Sequence, residues 1–124
     1  MVKDCNAISF VATLDACAAK AFYADVLGLH LVAEDPFALV FDVNGRMLRI
    51  STVEVLNPAS HTVLGWAVDN VESKVLDLKE KGVEFQHFAG MGQDTNGIWT
   101  SPSGERIAWF KDPDGNNLSL TEFS

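Results

Sequence analysis

The chain is short of most residues that define specialised small proteins. It has 2 cysteines, Cys5 and Cys17. They are too few for a disulfide framework and do not form a CxxC pair. Basic residues number 9 against 17 acidic ones, giving a formal net charge of −8. A chain this acidic is repelled by phosphate backbones, so neither nucleic acid nor a membrane is an expected partner. No apolar run is long enough to span a bilayer. Asp4 stands where a signal peptide would begin its apolar core, so secretion is not expected and the cytoplasm is the expected compartment. There are 3 histidines, His30, His61 and His87, and no H-x-E, H-x-H or HExxH spacing that would build a metal site locally. For each, a surface or hydrogen-bonded histidine is the simplest reading. The sequence has no G-x-S-x-G elbow, P-loop or dinucleotide fingerprint, and Gly90-Met91-Gly92 lacks the rest of either glycine pattern.

What is present is an ordinary globular balance, 48% hydrophobic and 21% charged over 124 residues. That is enough for one domain or two very small ones. A helical period runs from Asp15 to Leu27, with Ala18, Phe22, Val26 and Leu27 on one stripe, Asp15 at the N-cap and Gly28 at the end. A second helix reads from a cap at Asp69 through Val71, Val75, Leu76 and Leu78 to Gly82. Strands are expected at 8–13, 29–33, 37–43, 47–53, 63–68, 83–88, 107–111 and 118–121. Asn44-Gly45 and Asp112-Pro113-Asp114-Gly115 are turn signals. Segment 89–104 reads as a long loop with a short strand around Ile98-Trp99-Thr100.

The element order repeats. Asp15 precedes Gly28 by 13 residues, and Asp69 precedes Gly82 by 13. Asp42-Val43-Asn44-Gly45 matches Asp112-Pro113-Asp114-Gly115, and Leu48-Arg49-Ile50 then matches Leu118-Ser119-Leu120. Two matches in one order point to a duplicated βαβββ unit. The first module covers 1–56, a linker 57–60 and the second module 61–124.

Phe22-Tyr23-Ala24-Asp25-Val26-Leu27-Gly28-Leu29 resembles an FY-x-x-x-LG-(L/F) signature, and Asp112-Pro113-Asp114-Gly115-Asn116 resembles a DPDGN signature. Both belong to the vicinal oxygen chelate superfamily, also called glyoxalase/bleomycin resistance protein/dioxygenase. The resemblance implies an α+β fold in which two tandem βαβββ modules curve their sheets into a cup. It also implies a homodimer. In metal enzymes of that family, His, Gln or Glu from the first and last strand of each module hold a divalent ion. Carried onto this chain, those positions are Ile8, Arg49, Val63 and Ser119. Ile8 and Val63 have no donor atom, Arg49 is a cation and Ser119 is a weak ligand. No metal or other cofactor is therefore expected, although a divalent metal stays open as an alternative. His61 lies two residues from Val63, nearer the rim, and Glu122 falls on the opposite strand face from Ser119.

With no good metal ligand at those positions, the cup reads as a largely apolar pocket for a small-molecule ligand. Strand parity assigns Ile8, Phe10 and Ala12 to its face, with Met47, Arg49 and Ser51, then His61, Val63, Gly65 and Ala67, and finally Asn117, Ser119 and Thr121. Trp99 and Phe110 are expected walls, while Trp66 and Trp109 are expected on the helix side. The Arg49 guanidinium needs a partner, either an internal carboxylate such as Asp42 or Glu54 or an anionic ligand group. Three functions follow: a metal-independent binding protein like the resistance proteins, a lyase-type or dioxygenase-type enzyme with an atypical site, or a module whose cup fills with its own side chains.

Overall fold

Runs of β-branched and aromatic residues, punctuated by Asp and Gly, become eight strands and two helices in the computed structural model, which describes residues 1–124. The chain divides into two compact units, Met1–Asn57 and Pro58–Ser124.

In the first unit, β1 (Ser9–Thr13) leads into α1 (Ala16–Lys20), then β2 (His30–Glu34), β3 (Ala38–Val43) and β4 (Arg46–Thr52). The sheet order is β1-β4-β3-β2, with β1 parallel to β4 and the other pairs antiparallel. Asp15 caps α1 as its side chain dictates, accepting from the Ala18 N–H at 3.2 Å. The helical period continues as expected to Leu27, but from Ala21 to Val26 the backbone is π-helical. The Leu27 N–H reaches the Phe22 carbonyl at 2.9 Å instead of closing an α-turn. In this arrangement Tyr23 is fully buried, edge-on to Phe22 and tilted against Phe41. Val11, Thr13, Leu39, Phe41, Leu48 and Ile50 share the buried helix-side face. Burying aliphatic and aromatic side chains of this size contributes roughly 1.5–3 kcal/mol each. Asn44 and Gly45 both have positive φ, as a two-residue I′ hairpin demands, and Asp42 Oδ1 accepts from the Gly45 N–H at 3.1 Å.

In the second unit, β5 (Thr62–Ala67) precedes α2 (Val71–Glu80), followed by β6 (Trp99–Thr100), β7 (Arg106–Lys111) and β8 (Asn117–Glu122). The order is β5-β8-β7-β6, again with the first pair parallel. The cap of α2 is Asn70, not Asp69. Asn70 has the extended backbone of a cap and accepts from the Ser73 N–H at 3.0 Å. Glu122 then accepts from the next free amide, Val71 N–H, at 2.9 Å. This places Glu122 on the helix side, as its parity requires.

The expected strand at 83–88 shrinks to a single bridge, Phe85 opposite Phe110, plus a 2.8 Å bond from the Gln86 N–H to the Trp109 carbonyl. The edge of β7 is taken up again by Trp99 opposite Ile107. The long loop therefore interrupts the edge strand instead of following it. Its own side chains hold it. The Gln93 amide donates to the Gln86 and Gly97 carbonyls at 2.9 and 2.7 Å, and its oxygen accepts from the Phe88 N–H. Asp94 Oδ1 accepts from Asn96 and Ile98 N–H. In the following turn, hydrogen bonds from Ser101 and Ser103 hold the Glu105 carboxyl below its usual range.

The Asp112–Asn116 turn is a small buried network. Asp112 Oδ1 accepts from the Asp114 and Asn116 N–H groups, each at 2.9 Å, and its Oδ2 accepts from Asn116 Nδ2 at 2.9 Å. Gly115 supplies the positive φ. Both units thus show the α+β, βαβββ organisation expected from the duplicated pattern.

Candidate functional site

Each sheet has its helix on one face and leaves the other open. In the first unit, Val11, Leu48, Ile50 and Phe41 point to the helix side, so their alternating neighbours occupy the open face. Ile8, just before β1, is 45% exposed and Phe10 is 62% exposed. Met47, Arg49 and Ser51 follow on β4, as parity predicts. Register puts Phe10, Arg49 and Val40 side by side across three strands. Arg49 forms no ion pair and no hydrogen bond with Asp42 or Glu54. The ion pairs are Lys20–Glu34 and Arg106–Glu122, and Asp42 turns its carboxylate to the Gly45 amide.

In the second unit, Gly65 and Ala67 of β5 lie opposite Ser119 and Thr121 of β8 on the open face, with His61 exposed just before β5; a register shift at Val63 puts Thr62, where parity expected Val63, opposite Asn117. Asn117 gives its amide to the Ala59 carbonyl at 2.7 Å, which ties down the linker. Gly65 lies opposite Ser119, and a Cβ on Gly65 would come 2.8 Å from Ser119 Oγ. Only a residue without a side chain leaves that hydroxyl in place. No hydrogen bond to another protein group engages it, although Ser119 is 8% exposed.

One expected wall changes place. Phe110 is fully buried on the helix side, stacked on Trp66 at 6.5 Å and tilted against Phe85 at 5.4 Å. It cannot line an open face. Trp109 does so instead, because β7 pairs it with Ser119 and pairs Phe110 with Leu118. Directly opposed residues of an antiparallel pair share a face, so the Asp112–Asn116 turn fixes which of two neighbouring aromatics is core. Trp66 sits on the helix side as parity expects.

Trp109 is not alone. Trp99 lies 6.2 Å from it, and Phe88 meets it edge-on at 5.7 Å. Trp99 pairs with Ile107, on the same face. The interrupting loop therefore brings an aromatic from each of its ends, Phe88 and Trp99, against Trp109. Phe88 gave no sequence signal, since its position depends on where the edge strand breaks. Trp109 could have been found by carrying parity from Ser119 back across the turn.

Chemically, such a face offers flat apolar surface beside the hydroxyls of Ser119 and Thr121. No three His, Cys, Asp or Glu side chains gather to hold a metal. The donor set at the family's ligand positions does not fit one either: two hydrocarbons, a cation and a hydroxyl. A separate shallow concavity of about 520 Å³ lies beside the end of α2, lined by Lys79, Gly82, Val83, Glu84, Phe85 and His87. Lys79 there is engaged with Asn96 at 3.2 Å.

Comparison with known proteins places these features. An antibiotic binding protein from Streptomyces is similar at 27% identity, with a TM-score of 0.74, covering 100% of this chain and 99% of its own. A lactoylglutathione lyase from Agrobacterium tumefaciens is 20% identical, with a TM-score of 0.72 and coverage of 93% and 90%. A glyoxalase family protein from Enterococcus faecalis is 21% identical, with a TM-score of 0.71 and 94% coverage of each chain. The last two likenesses are of fold alone. No curated protein matches the chain. Residues 7–120 match the profile of the Glyoxalase/Bleomycin resistance protein/Dioxygenase superfamily. With the duplicated βαβββ units and both signature turns in place, the chain belongs to that superfamily.

Proposed function

We propose that the chain is a binding protein for a small, planar organic molecule, held without a metal on the open aromatic face of the second unit. One observation carries the reading: Phe88 and Trp99 both contact Trp109, which lies on the sheet face opposite the helix. Aromatics normally fill cores, as Phe110 does here. Large rings set outside the core in contact with one another are suited to stacking on a flat ligand. The similarity to an antibiotic binding protein supports this class of ligand. A lyase or dioxygenase with an atypical metal site has less support, because neither unit gathers donors for one.

The test is calorimetric titration with a neutral planar probe, 2-naphthamide. Saturable binding is expected, weakened roughly tenfold by Trp109→Ala. Equal affinity in the variant contradicts the reading.

The same reading makes the functional unit a homodimer. Phe10, Phe37, Val32 and Val55 are exposed apolar side chains of the kind that a second copy covers. Sedimentation at twice the 13.5 kDa chain mass checks this. Cys5 and Cys17 are both free and exposed, which suits a reducing compartment such as the cytoplasm.

A further inference from the structure

The nine Lys and Arg side chains fall into two groups. Seven are exposed, where water solvates the charge and a missing partner has little consequence. Two are partly buried, Arg49 and Arg106. Arg106 has its carboxylate, Glu122, at 3.9 Å. Arg49 has none, in a chain with 17 acidic residues.

The position of Arg49 sharpens the contrast. It sits in the middle of β4, a strand flanked on both sides, with Phe10 and Val40 as its cross-strand neighbours. Met47 and Ser51 stand before and after it on the same face. The closest acidic register position, Asp42, is opposite Met47 and bonds the Gly45 amide. The Arg49 guanidinium presents planar, paired N–H donors. Partly buried and paired with no carboxylate of the chain, it is suited to recognising a carboxylate or phosphate.

We infer that Arg49 is an anion-recognition residue, and that the ligand class is a small organic anion carrying a carboxylate or phosphate next to apolar surface. This goes beyond the small-molecule reading above: it concerns the open face of the first unit, where Phe10 and Met47 supply the apolar surface beside Arg49. It also runs against the overall charge of −8, which by itself would favour cations. A local donor fork must therefore outweigh the general field at this point.

The test compares 2-naphthoate with 2-naphthamide, probes of nearly equal size and different charge, by calorimetry at pH 7. The native protein should bind the naphthoate at least tenfold more tightly. Arg49→Ala should remove that preference and Arg49→Lys should keep part of it. Arg46→Ala, which removes an exposed charge from the same strand, should leave it unchanged. Equal affinity for the two probes, or a preference that survives Arg49→Ala, overturns the inference. If naphthamide binding depends on Trp109 but naphthoate gains nothing, the inference fails and the aromatic-face reading stands. If the naphthoate preference depends on Arg49 while naphthamide binding is unchanged by Trp109→Ala, the inference stands and that reading fails. No binding of either probe at millimolar concentration overturns both.

Discussion

The two units share one architecture and differ in what they place on their open faces. Each has a parallel pair of first and last strands, an antiparallel extension and a helix beginning at an Asp or Asn cap. Each turns into its last strand with an Asp that accepts backbone N–H bonds and a Gly of positive φ. These residues are scaffold, and both units keep them because caps and tight turns have few chemical solutions. The open faces follow no such rule. The first displays Phe10, Met47 and an unpaired Arg49; the second displays an aromatic row beside a free hydroxyl. Fold-level reasoning therefore identifies the scaffold and says little about the faces, which is where function must be argued.

The turns provide the largest test of this comparison. Asp112 is 6% exposed and accepts three hydrogen bonds through its carboxylate, whereas Asp42 is exposed and accepts one. Asp112→Ala strands buried donors and should lower unfolding stability by about 2–4 kcal/mol. Asp42→Ala should cost about 1 kcal/mol or less. Urea unfolding of the two variants measures the gap, and equal losses would show that the turns are not the unequal partners their burial implies.

A smaller effect should come from the loop that only the second unit possesses. Gln93 ties together Gln86, Phe88 and Gly97. Gln93→Ala should reduce global stability by about 1 kcal/mol. It should also loosen Phe88 and Trp99 from Trp109, weakening the near-ultraviolet circular dichroism of the indoles and the affinity for 2-naphthamide. Unchanged dichroism and affinity would mean that the loop does not build the aromatic row.

The sequence made some of this legible for clear reasons. Asp15 and Gly28 mark the first helix because a carboxylate cap and a left-handed terminus are local requirements. They could not announce that the helix widens into π turns at Ala21, the segment from which Tyr23 packs against Phe41. Asp69 and Asn70 are both competent caps, and which one serves depends on the chain's exit from β5. Residues 83–88 have strand composition, yet pairing is limited to Phe85 because the loop leaves the edge there. The exchange of Phe110 for Trp109 is the instructive miss. A strand's parity, judged alone, is ambiguous by one residue, and that one residue moves every side chain to the other face. Pairing Lys111 with Asn117 across the turn removes the ambiguity.

The central claim is that the open aromatic face of the second unit binds a planar molecule. The most direct measurement follows the three indole N–H resonances during titration with 2-naphthamide. The account predicts that the signals of Trp99 and Trp109 shift saturably together while that of Trp66, on the opposite, helix-side face, shifts least. A titration that moves none of them, or moves Trp66 alone, would contradict it.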